Sequence, residues 1–101
     1  MEIHSSCHNR ELTIRLVGDL DHHAAKNAMT KIDQQIDMDL PLVTILDFGG
    51  VTFMDSSGIA VLLRAYRRMT EAGGGLIVQD VPSQPKRVLQ AAGLTKLISF
   101  C

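Results

Sequence analysis

The run Leu42-Val43-Thr44-Ile45-Leu46, set between two stretches with helical apolar spacing, constrains the fold more than any other feature of the chain. Nearly unbroken, and starting just after Pro41, it predicts a central strand covered on both faces. Upstream, Ala25, Ala28, Met29, Ile32 and Ile36 recur at the helical period opposite Lys26, Lys31, Asp33 and Asp37. This is an amphipathic helix that Asp21 opens and Pro41 ends. Downstream, beyond a connection from Asp47 to Ser56, the apolar positions Ile59, Leu62, Leu63, Tyr66 and Met69 define a second helix. Its outer face holds Arg64, Arg67, Arg68 and Glu71, with Arg67 and Glu71 expected to pair at i and i+4.

The remaining segments complete an α/β pattern. Leu12, Ile14 and Leu16 alternate with Thr13 and Arg15, the period of a half-covered strand, and Ile3 to Cys7 can pair with it across His8-Asn9-Arg10. After Gly73-Gly74-Gly75, Leu76-Ile77-Val78 reads as another strand. Pro82-Ser83-Gln84-Pro85 introduces a third helix through Ala92, which Gly93 caps, and Leu97 to Phe100 supplies a last strand. The order ββαβαβαβ predicts one domain, residues 1–101, built as a mixed sheet backed by helices. In such sheets binding residues gather where strand carboxyl ends feed helix N-termini, here residues 18 to 23 and 47 to 58.

Charge and cysteine usage narrow the partners. Ten Lys and Arg against eleven Asp and Glu leave a net charge of -1, too little to draw nucleic acid or anionic lipid to the molecule. Only Cys7 and Cys101 occur, at opposite ends and outside any disulfide or metal-binding spacing, which fits a reducing cytoplasm. Neither an export leader nor a membrane-spanning run is visible, so the expectation is a soluble, cytoplasmic protein.

Chemistry concentrates at Asp55-Ser56-Ser57-Gly58, between the central strand and the second helix. Backbone N–H groups there lack partners within the helix, so a serine hydroxyl can act as a cap, as a nucleophile or as an acceptor of a phosphoryl group. A hydrolase is disfavoured: Met54 stands where the first glycine of a Gly-x-Ser-x-Gly elbow belongs, and His4, His8, His22 and His23 all precede the serine. Asp19, Asp21, His22 and His23 suggest a capped helix start rather than a metal site, because adjacent histidines point apart on a helix. No Lys-Ser or Lys-Thr follows the three glycines, so they form no phosphate loop. Neither a metal nor a cofactor is expected.

Two segments, Gly18-Asp19-Leu20-Asp21-His22-His23-Ala24 and Phe53-Met54-Asp55-Ser56-Ser57-Gly58-Ile59, resemble the signature segments of STAS-domain anti-sigma factor antagonists, those of sporulation above all. Arg64-Ala65-Tyr66, Gly73-Gly74, Lys86-Arg87-Val88 and Ala92-Gly93-Leu94 extend the resemblance over nearly the whole chain. It implies a regulatory, non-enzymatic protein that, unphosphorylated, binds an anti-sigma factor with serine kinase activity and so frees a sigma factor for transcription. Phosphorylation on Ser56 then ends binding, and a serine phosphatase resets the switch. The resemblance also implies a partner surface made of Asp21, Asp55, Ser56, Ser57, Gly58, Ile59 and Val88. The family usually continues into another helix after the last strand, and this chain stops at Phe100-Cys101. The uncovered apolar surface then predicts weak self-association. Alternative functions within the same fold are a scaffold subunit of a stress-sensing assembly and a nucleotide-binding STAS protein.

Overall fold

The computed structural model describes residues 1–101. Strands Glu2–His8 (β1) and Glu11–Leu20 (β2) form the expected antiparallel hairpin. Asn9 and Arg10, at φ 51° and 60°, make a left-handed turn that matches strand twist. The Arg10 guanidinium donates to Leu40 O at 2.8 and 3.1 Å, which ties this turn to the end of helix α1, His22–Asp39. Next come Val43–Met54 (β3), Ser57–Glu71 (α2), Gly75–Gln79 (β4), Ser83–Ala91 (α3), a 3-10 turn at Leu94–Lys96, and Ser99–Phe100 (β5). Gly93, at φ 76°, takes the left-handed position after α3 that its sequence context predicts.

The sheet runs β1-β2-β3-β4-β5, and every pair after the first is parallel. Leu12, Ile14, Leu16, Leu46, Phe48, Leu76 and Val78 project from it to meet Ala28 and Ile32 of α1, Val61, Leu62 and Met69 of α2, and Leu89 of α3 in a single core. Coverage of β3 is one-sided, contrary to the expectation from its apolar run. Thr44, Leu46 and Phe48 are buried, while Val43, Ile45 and Asp47 on the alternate face are only half-buried. That second face carries an ion pair between register partners, Arg15 Nη1 to Asp47 Oδ2 at 3.0 Å. Branched residues raise strand propensity on either face, so their presence there does not require a covering helix.

Most of the connection expected from Asp47 to Ser56 is strand. β3 continues to Met54, with Phe48, Val51 and Met54 buried. Gly49-Gly50 hides this in the sequence, since glycine pairs depress strand propensity. The reason for Gly50 is a close approach: a Cβ there would lie 2.9 Å from Val17 Cγ2 and 3.0 Å from Leu16 O, beside a register shift at which β3 carries one more residue than β2.

The outer face of α2 also differs from expectation. Arg67 and Glu71 stay exposed and form no ion pair. Instead Arg64 Nη2 lies 2.7 Å from Asp33 Oδ2, Arg68 Nη1 lies 3.1 Å from Asp33 Oδ1, and Arg68 also pairs with Asp37. The Arg68–Asp33 approach is an ion pair without hydrogen-bond alignment, so Oδ1 accepts no bond there. Asp33 is therefore half-buried at the α1–α2 seam rather than on an outer face. Its hydrogen bond and charge hold the Arg64 pKa above its ordinary value.

Candidate functional site at the carboxyl edge of β2 and β3

Leu20 and Met54 pair across the sheet, so the residues after them leave adjacent parallel strands at one edge and turn into helices side by side. Asp21 and Asp55 are those residues. Backbone and side-chain bonds hold the edge together: Asp55 N–H donates to Leu20 O at 3.4 Å, and Thr52 Oγ1 donates to Asp19 Oδ1 at 2.6 Å.

Asp21 caps α1 as the sequence predicts. Its Oδ1 accepts the Ala24 N–H at 2.9 Å, and that bond is the first cause of a carboxyl pKa below the ordinary value. His22 and His23 are exposed, with rings edge-to-face at 6.0 Å. No group of three or more His, Cys, Asp or Glu is placed to hold a metal ion.

At the second helix the capping role falls to Asp55. Its Oδ1 accepts the Ser57 N–H at 2.8 Å. Ser56 precedes the first helical residue but already has helical angles, φ -62° and ψ -18°, and its side chain makes no capping bond. Of the three roles open to it, capping is thus removed. Its hydroxyl is exposed on a backbone fixed by the Gly58 N–H to Asp55 O and Ile59 N–H to Ser56 O bonds, both 3.1 Å. Ser57 is half-buried. Gly58 is buried, because a Cβ would sit 2.4 Å from Met54 Cγ and Sδ, so only glycine lets α2 start this close to the strand ends.

Ile59 and Val88 are half-buried and pack against the core, Ile59 on α2 and Val88 on α3. Asp21, Asp55, Ser56 and Ser57 are thereby brought to one edge, while Val88 arrives on a separate helix. That helix is joined to the edge by Gln84, one turn before Val88, which bonds Met54 N and Met54 O at 2.8 Å each. Neither Gln84 nor the 43% exposed Phe53 stands out as a site residue in the sequence. An aromatic within the motif was the only available signal for Phe53; Gln84, between Pro82-Ser83 and Pro85, gave none.

The electrostatic character of the edge is acidic. Asp19, Asp21, His23, Asn27, Ala24 and Met1 line an open cleft of about 490 Å³ beside α1. Carboxylates on its wall oppose a nucleotide phosphate, and a phosphoryl group on Ser56 would add charge beside Asp55. No helix is long and apolar enough to cross a membrane.

Comparison with known proteins agrees with this geometry. The model of the STAS domain family matches residues 1–101. An anti-sigma F factor antagonist of Paenibacillus polymyxa is 33% identical over 98 residues, 97% of this chain and 84% of that protein. The solved structure of the anti-sigma factor antagonist SpoIIAA in its unphosphorylated form superimposes with a TM-score of 0.75 at 27% identity, over 99% of this chain and 87% of that one. The Bacillus cell fate determinant SpoIIAA in its phosphorylated form gives 0.76 at 29% identity, over 99% and 91%. The chain belongs to the STAS domain family and groups with its anti-sigma factor antagonists.

Proposed function

We propose that this chain antagonises an anti-sigma factor by partner switching in the cytoplasm. In its unphosphorylated form it binds an anti-sigma factor that is also a serine kinase, using the edge formed by Asp21, Asp55, Ser56, Ser57 and Ile59, with Val88 on α3 at the margin and Gly58 setting the approach of α2. Binding releases the sigma factor; phosphoryl transfer to Ser56 ends binding, and a serine phosphatase restores it. The protein itself is a binding module and not an enzyme. The observation that carries this reading is Ser56: exposed, free of capping duty, and next to Asp55, whose carboxylate holds the Ser57 N–H, at the strand edge that also carries Asp21.

Electrostatics suffices for the switch. A phosphoryl group adds about -1.5 to -2 charges at neutral pH. Placed next to Asp55 at an interface, it opposes binding by repulsion and by the cost of desolvation. A thousandfold loss of affinity requires only about 4 kcal/mol. That the chain superimposes equally well on unphosphorylated and phosphorylated SpoIIAA supports a local effect over a refolding one.

Phosphosite mapping tests the reading. Incubated with its anti-sigma factor kinase and ATP, the parent and Ser57→Ala should each gain one phosphate on Ser56, and Ser56→Ala should gain none. Absence of phosphate on every form, with a kinase active on another substrate, contradicts the proposal.

A further inference from the structure

The β3–β4 ladder ends at the Asp47–Gln79 pair, yet β3 runs on to Met54, so this edge of the strand continues for seven residues without a strand beside it. At the last of them Gln84 supplies what a strand would. Met54 N–H donates to Gln84 Oε1 at 2.8 Å, and Gln84 Nε2 donates to Met54 O at 2.8 Å. A carboxamide offers the same donor and acceptor as a peptide group, so one side chain on α3 stands in for one residue of a missing neighbour. Both bonds are part-buried, where an unpaired backbone group is costly. Met54 is thus held from both sides, by its pairing with Leu20 and by Gln84, two residues before Ser56.

We propose that Gln84 is a positioning residue for phosphoryl transfer to Ser56: it locks Met54 and thereby the turn that presents the serine hydroxyl. The proposal rests on the reading of Ser56 as phosphoacceptor. In the step concerned, Ser56 Oγ forms a bond to the γ-phosphorus of ATP, the bond from that phosphorus to the β,γ-bridging oxygen breaks, ADP leaves, and the hydroxyl proton passes to a base of the kinase. Catalysis of this kind depends on alignment, and small displacements of a reacting atom carry large rate losses. Kinase docking, by contrast, is spread over the wider surface.

The test uses the full chain, the anti-sigma kinase and ATP, with Gln84→Met, which keeps length and loses both bonds, and Gln84→Glu, which keeps the acceptor for Met54 N–H and loses the donor. Ile32→Val, on the buried face of α1, serves as a control for general destabilisation. Gln84→Met should lower kcat for Ser56 phosphorylation about tenfold, with KM changed by less than about twofold. Gln84→Glu should fall between it and the parent, and Ile32→Val should keep the parent kcat. Amide exchange at Met54 and Asp55 should quicken in Gln84→Met, while the amides of β2 and of the β3–β4 ladder keep their protection. A parent protein phosphorylated on Ser56 together with an unchanged kcat in Gln84→Met overturns the positioning role alone. Equal losses in Gln84→Met and Ile32→Val also overturn it, since they mark a global effect. A parent protein that gains no phosphate overturns the functional reading, and the positioning role with it.

Discussion

Asp21 joins fold and site in one carboxylate. It accepts the Ala24 N–H and so starts α1, and it faces outward at the edge where Ser56 is presented. Its pKa is lowered in the folded state, chiefly by that bond, with His23 adding a smaller electrostatic contribution. The folded state therefore binds a proton less readily than the unfolded chain. The stability due to the cap is complete above the ordinary carboxylate range and is lost as pH falls through that range to the lowered folded value. Asp21→Asn keeps an acceptor without a titrating group. It should show a shallower loss of thermal stability than the parent below about pH 4, read by unfolding curves at stepped pH. This cap was legible because it depends only on neighbours in sequence. The division of labour between Asp55 and Ser56 was not legible, since aspartate and serine are both good caps and only the backbone angles of Ser56 decide. Gln84 was invisible for a related reason: its partner, Met54, is 30 residues away.

The elements differ in how openly the sequence displayed them. α1 and α2 announced themselves by apolar periodicity, and the hairpin by alternation in β2, because each pattern reports one buried face. β3 was half hidden. Its later part alternates imperfectly around Gly49-Gly50, where bulging against β2 demands a missing side chain. The ion pairs of α2 were misassigned since spacing along one helix does not reveal charges on another; Asp33 of α1 captures Arg64 and Arg68. At the site, the decisive relation is between elements: α2 begins hard against the ends of β2 and β3 because Gly58 has no side chain. Gly58→Ala drives a methyl into Met54, which is fully buried and cannot swing into solvent. The substitution should destabilise the protein by about 1–3 kcal/mol, seen as a lower denaturant midpoint at unchanged slope. An unaltered midpoint would mean that the start of α2 is free to shift and that the Ser56 turn is less firmly held than the packing implies.

Across the whole molecule, the site occupies one edge of the sheet, where β2 and β3 end and α1 and α2 begin. Ser56 is exposed, lies outside the core, and its side chain makes no capping bond, so a charge placed on it should leave burial and secondary structure untouched. The family and the general architecture were readable because motif order and apolar periodicity extend along the chain; the one-sided cover of the sheet was not, since branched residues populate both faces of β3. On the proposed reading, phosphorylation should change what the surface can bind without changing what the chain folds into. The most direct measurement is the affinity of the anti-sigma factor for the parent protein and for its stoichiometrically Ser56-phosphorylated form, with backbone amide spectra of both. The account predicts affinity weaker by about a hundredfold or more after phosphorylation, with spectral changes confined to residues around 19–23 and 52–60. Equal affinities, or a loss of affinity accompanied by shifts throughout the sheet, would contradict it.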